Sequence, residues 1–138
     1  MPVSFHIFPE RNLVLARFTG HILLADCLSS AKAYSEDPRA SPLQTQLIDL
    51  SGVTSYERDL VQIMSMMARL PDHLLKPGYE PMILYVAPSR VAQEIAGMVL
   101  KSMQGIEGAI VRMFEEEAQA LEVLGMPERS LAALMARA

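Results

Sequence analysis

The sequence is short of the features that most function classes require. Cys27 is its single cysteine among 138 residues, so no internal disulfide can form and an oxidising compartment is not implied. No stretch approaches the roughly 20 consecutive apolar residues of a membrane-spanning helix. The segment MPVSFHIFPE, residues 1–10, has neither the basic start nor the apolar run of a secretory signal, and the expected location is cytoplasmic. Basic charge is scarce as well. Twelve Lys and Arg stand against 16 Asp and Glu, a net charge of -4. That balance lacks the summed positive field of non-specific nucleic-acid binding, and the absence of a dense basic cluster argues against docking on an anionic membrane.

Reactive constellations are missing too. His6, His21 and His73 are scattered and show no metal-ligand spacing. Cys27 falls within an apolar helical face, far from any histidine partner, and reads as a small buried residue. Gly97, Gly105 and Gly108 match no G-x-G-x-x-G arrangement. No acid, base and nucleophile converge, so neither an enzyme nor a cofactor is expected.

What is present is a core. Half of the residues, 51%, are hydrophobic and 20% are charged, which suits one packed domain of this length. Val3, Phe5 and Ile7 alternate as a strand, Pro9-Glu10-Arg11-Asn12 makes a turn in which Asn12 can take a left-handed backbone, and residues 13–19 form a second, antiparallel strand. Gly20 reads as a strand breaker, followed by a helix over 22–35 with Leu24, Cys27, Leu28 and Ala31 on one face and Pro38 beyond its end. Residues 46–50 are a buried strand.

Thr54 with Glu57 three residues on has the form of a capping box, which predicts a helix from there to about Leu70 with Leu60, Ile63, Met64 and Met67 inward and Arg58 outward. Residues 71–81 read as a loop. Residues 82–87 are the most apolar strand, and 90–103 a helix with Val91, Ile95, Met98 and Ser102 inward, an Arg90–Glu94 pair outside and Gly105 as its stop. Residues 109–114 are the last strand. Glu115, Glu116 and Glu117 suit the first turn of a fourth helix, and Gly125 ends it. Residues 1–125 form the domain, and 126–138 a tail with a short helix carrying Leu131, Leu134 and Met135. The order ββαβαβαβα predicts an α/β fold: a mixed, mostly parallel five-stranded sheet with an N-terminal antiparallel hairpin and four or five helices.

That order, the run Leu47-Ile48-Asp49-Leu50-Ser51-Gly52-Val53-Thr54, the hairpin segment Phe8 to Val14, and the stretches Phe18-Thr19-Gly20, Asp37-Pro38, Val86-Ala87-Pro88-Ser89 and Val111 to Phe114 resemble the STAS domains. The closer resemblance is to the bacterial SpoIIAA-like (STAS/SEC14-type) proteins, over about residues 3–125. The resemblance implies a five-strand, four-helix, non-enzymatic module for protein–protein regulation. Its anti-sigma-antagonist branch carries a switch serine at the start of the second helix. Laid over this sequence that pattern falls on Glu57-Arg58-Asp59-Leu60, where an arginine, Arg58, replaces the serine.

Several residues remain as candidates for binding. Thr54 and Ser55 are the hydroxyls nearest that helix start, where a phosphate would meet free amides but also Glu57; plain capping is the competing reading. Asp49, Ser51, Ser89 and Arg90 sit at or just past the carboxyl ends of strands expected to be parallel, where ligands collect in open α/β sheets; Ser89 as a helix cap and Arg90 as an ion-pair partner is the plainer account. Among ten methionines, Met64, Met67 and Met98 fall on inner stripes, whereas Met66, Leu100 and Met103 fall off them and would build an apolar patch for a dimer or a ligand. The expected partner is another protein or a second copy of the chain. The alternative is a small-molecule or lipid-binding domain with an apolar pocket beneath the methionine-rich helices.

Overall fold

The computed structural model describes residues 2–75, 78–103 and 109–137, with the side chains of Leu70, His73 and Leu74 outside the description. The expected helix stop at Gly105, and Gly108, lie outside the described residues. Strands β1 (Val3–Phe8), β2 (Leu13–Ile22), β3 (Thr45–Tyr56), β4 (Met82–Val86) and β5 (Ile110–Phe114) form one sheet in sequence order. The β1–β2 pair is antiparallel and every later pair is parallel. The helices are α1 (Leu24–Glu36), α2 (Leu60–Leu74), α3 (Arg90–Met103), α4 (Glu117–Val123) and α5 (Leu131–Met135). This is the α/β architecture that alternating strands and helices predict. Among the described residues no helix is long and apolar enough to cross a membrane.

Parallel strands laid down in sequence order need crossovers, and right-handed crossovers all return on one side of the sheet. Helices α1, α2 and α3 accordingly cover one face, over Leu50, Ile83, Tyr85 and Val111. Helices α4 and α5 cover part of the other, over Leu13, Leu15, Leu47, Leu84 and Val86. The two faces follow from period-two alternation: Leu47 points one way and its neighbour Ile48 the other. In the hairpin turn Asn12 takes φ 52° and ψ 47°, the left-handed conformation an asparagine tolerates.

Five boundaries differ from expectation. Gly20, at φ +72°, does not end β2 but bends it, and the β2–β3 register shifts on either side of it; a glycine inside a strand marks a bulge as readily as a stop. Because β2 continues to Ile22, β3 continues beside it to Tyr56, with His21 opposite Ser55, and α1 starts at Leu24 rather than Ile22. Thr54 is therefore a strand residue, and α2 begins at Leu60, capped by the Asp59 carboxylate on the Gln62 amide at 3.1 Å. Finally, α2 runs through Pro71 to Leu74 instead of yielding to a loop at residue 71. Gly125, at φ +69°, terminates α4 as expected.

The C-terminal segment is stitched into the core. Leu131 and Leu134 are fully buried beside Leu13 and Leu121. Arg11, in the hairpin turn, donates from both terminal nitrogens to the Glu128 carboxylate at 2.6 and 2.9 Å, and Arg137 adds a contact at 3.3 Å. Glu117 of α4 accepts from the Leu131 amide at 3.2 Å. The Arg11 hydrogen bonds hold the Glu128 carboxyl well below its usual range, at about 2, against the opposing effect of desolvation. Its ordinary value of about 4.5 is thus depressed on folding, so the ion pair contributes fully above pH 4.5 and its contribution is lost as pH falls towards 2. Glu128→Gln is expected to lower the melting temperature by several degrees at pH 7. Acid titration of stability by circular dichroism should show the gap to the unaltered chain closing between about pH 4.5 and pH 2.

Candidate functional site

Midway along β2 and β3, level with the carboxyl end of β4, stand Asp49 and Ser51, two of the polar residues that the sequence marks as candidates. Asp49 is buried, and its Oδ2 accepts from Arg17 Nε at 3.2 Å. Its Oδ1 accepts from the Ser51 amide at 3.0 Å and from the Ser51 hydroxyl at 2.5 Å. Arg17 was not a candidate in the sequence, but it stands directly opposite Asp49 in the β2–β3 register. The buried carboxylate is thus satisfied by its own neighbours. A short distance along the same two strands, His21 Nδ1 and Ser55 Oγ share a hydrogen bond of 2.7 Å, with His21 exposed. The serine beside Asp49 is Ser51 and the serine beside His21 is Ser55, so acid and imidazole serve different hydroxyls. Among the described residues no group of three or more His, Cys, Asp and Glu side chains could hold a metal ion.

The capping-box reading of Thr54 and Glu57 is corrected by this geometry. Thr54 is an exposed strand residue. Glu57 caps a different helix: its Oε1 accepts from the Leu24 amide at 3.1 Å, at the start of α1, where Leu23 in the capping position has no side-chain oxygen. The spacing of a capping box is therefore present without its helix, since β3 extends through it. Arg58 does not lie on α2 at all. It precedes the helix, stacks over the Tyr56 ring at 4.4 Å, and pairs with Glu94 at 3.3 Å. Tyr56 donates to the same carboxylate at 3.1 Å. This cluster replaces the expected Arg90–Glu94 pair: Arg90 is exposed at the head of α3, while Glu94 is taken by β3 and its exit. Ser89 does cap α3, accepting from the Ala92 amide at 3.2 Å.

The methionine assignments are reversed at Met64, Met66 and Met103, whereas Met67 and Met98 pack against the core as expected. On α2, Ile63 and Met66 are buried, whereas Leu60, Val61 and Met64 are 67%, 74% and 64% exposed. Met66, expected off the inner stripe, is core; Met64, expected inside, is outside. On α3 the buried side is Ala92, Ala96, Val99 and Met103, with Val91, Ile95, Met98, Leu100 and Ser102 half-buried. Two alanines let α3 lie close to the sheet, a choice that size makes and hydrophobicity alone does not. The patch expected from Met66, Leu100 and Met103 therefore does not form. An apolar groove of about 570 Å³ lies instead between α2 and α3, lined by Leu60, Met64, Met67, Pro71 and Met98, with Lys101 at one end. The two helices also meet through Ser102 Oγ and Met67 Sδ at 3.6 Å.

Beneath these helices is a second space, a cavity of about 100 Å³ between α1–α3 and the sheet. Cys27 and Tyr85 both line it. Burial pushes the Cys27 thiol up to about 12, with the Asp26 carboxylate adding to the effect, so the sulfur stays protonated and unreactive at neutral pH. Burial raises the Tyr85 phenol likewise.

No protein-family model matches the chain, and no curated protein matches its sequence. If Glu57 is the α1 cap and Thr54 an uninvolved surface residue, Glu57→Ala should destabilise the chain by about 1 kcal/mol. Thr54→Ala should change stability by less than about 0.5 kcal/mol. Urea denaturation of the two variants checks this pair, and equal losses would restore the capping box.

Proposed function

We propose that the chain is a non-enzymatic protein-interaction module that works by pairing with a second copy of itself through the α2–α3 groove. The observation that supports this most is the exposure of Leu60, Val61 and Met64 on one helix, beside Met67 and Met98. A contiguous apolar surface of this kind marks an interaction site more often than a monomer tolerates it. Methionine side chains suit such a surface because they adapt to what they meet.

Charge favours a second copy as the occupant. Asp59 stands exposed at the head of α2, beside the neutralised Arg58–Glu94 pair. At the far end Arg69 and Lys101 outnumber Asp72 among the described exposed residues. Two α2 helices laid antiparallel across a two-fold axis would set each acidic head against a basic end and oppose the two helix dipoles. A two-fold interface has to be self-complementary in this way. The reading agrees with the regulatory, partner-binding role that the resemblance to STAS domains implies. It places that role on the α2–α3 face rather than at the position of the missing switch serine.

Sedimentation velocity over a range of concentrations tests the proposal. The unaltered chain should move from monomer to dimer, and Met64→Lys should remain monomeric at the same concentrations with an unchanged circular dichroism spectrum. A chain that stays monomeric at several hundred micromolar, or a Met64→Lys variant that dimerises equally well, would remove the groove from the account.

A further inference from the structure

Three methionines line one groove. Met64 and Met67 of α2 and Met98 of α3 all face the space between the two helices. Met64 and Met67 share one side of α2, a turn apart. The crossovers return α2 and α3 antiparallel to the strands, so the two helices run parallel to one another. Ser102 Oγ meets Met67 Sδ at 3.6 Å, which fixes the level at which the helices touch. Met98 precedes Ser102, and Met64 precedes Met67, by about one turn, roughly 5 Å along each axis. Three thioethers thus occupy neighbouring corners of a single cell of the groove. Met67 and Met98 are half-buried against Leu24, Ile63 and Met66, while Met64, at 64% exposure, stands on the open side.

The donors of this cell are soft. Among the described residues that line the groove there is no carboxylate, imidazole or thiol. Ser102 is the single hydroxyl among them, and it donates to the Val99 carbonyl at 2.9 Å, so the Met67 sulfur keeps its lone pairs. Magnesium and calcium take oxygen ligands, and zinc takes thiolate, imidazole or carboxylate; the groove supplies none of these sets. The Lys101 ammonium at one end also repels divalent ions more than monovalent ones. Thioethers select copper(I). The flexible, unbranched side chains let their sulfurs close on a small ion.

We infer that Met64, Met67 and Met98 form a site for a soft monovalent metal ion of the copper(I) class. All three sulfurs belong to one chain, so the site is complete in a monomer and does not rest on self-association.

Titration of the full chain tests this, with silver(I) as a redox-stable stand-in and with copper(I) under anaerobic conditions against a competing chelator. Methyl resonances of isotopically labelled methionine locate the ion. Those of Met64, Met67 and Met98 should shift together, those of Met66 and Met103 should stay, and zinc should move none of them. Leucine keeps the apolar volume and removes the donor. Met64→Leu and Met98→Leu should therefore fold normally and each weaken copper(I) binding by at least about tenfold, the smaller cost of losing even a residue that only supports a ligand. Sedimentation of the same samples separates the two accounts of the groove: a chain that stays monomeric and binds the ion removes the dimer and keeps the site. Cys27→Ala controls for the thiol. Binding undiminished in both leucine variants, or lost in Cys27→Ala while both leucine variants retain it, would assign the ion elsewhere and overturn the site. So would a chain whose groove methionines respond to neither silver(I) nor copper(I).

Discussion

Three helices have to share one face of a narrow sheet, and α2 loses. Sequence-order strands with right-handed crossovers send α1, α2 and α3 to the same side. Helices α1 and α3 lie against strands, whereas α2 packs chiefly on α1. Its inner residues Ile63 and Met66 meet Leu24, with Cys27, Leu28, Tyr56 and Met98 around them. From this one arrangement come both an exposed apolar surface and an interior space. Above α2, Leu60, Val61 and Met64 have no element left to cover them. Below it, Met66 and Met67 line a small apolar space together with Ile48 and Tyr85 of the sheet.

The polar interactions hold the edges of this arrangement. Glu57, at the exit of β3, caps α1 and so ties the entry of one crossover to the end of the next strand. Arg58, Tyr56 and Glu94 tie the β3 exit to α3. Ser89 and Asp59 cap their own helices. On the opposite face Arg11 and Glu128 clamp the C-terminal helix to the first hairpin turn. These ties set where α2 begins, and hence how it is rotated about its axis.

The fold class was legible in the sequence because period-two and period-3.6 hydrophobicity alternate cleanly along most of the chain. The turn at Asn12, the α3 span and the stop at Gly125 were legible for local reasons of backbone conformation. The orientation of α2 was not. Leu60, Val61, Ile63, Met64, Met66 and Met67 form one broad apolar arc, and periodicity centres it near Leu60 and Met64, which packing leaves exposed while it buries the arc's edge at Ile63 and Met66. The boundary that would have set the phase was hidden by two local ambiguities. Gly20 served as a bulge rather than a stop, and Thr54 with Glu57 had the form of a cap while lying on a strand and beyond its end. The site residues followed the same rule. Asp49 and Ser51 were identifiable from an expected strand end and Ser55 from an expected helix start, though all three lie within β3; Arg17 and His21 gain their partners only through strand register, which spacing along the chain does not encode.

The rotation of α2 is the claim on which the groove and the cavity both depend, and methionine oxidation reads it directly. Brief peroxide treatment of the native chain at low concentration, followed by peptide mass spectrometry, should oxidise Met64 at close to its rate in the unfolded chain. Met66 and Met103, at 6% and 7% exposure, should be protected by an order of magnitude or more. Rapid oxidation of Met66 with Met64 protected would mean that α2 presents its other side to the core, and the account would fail.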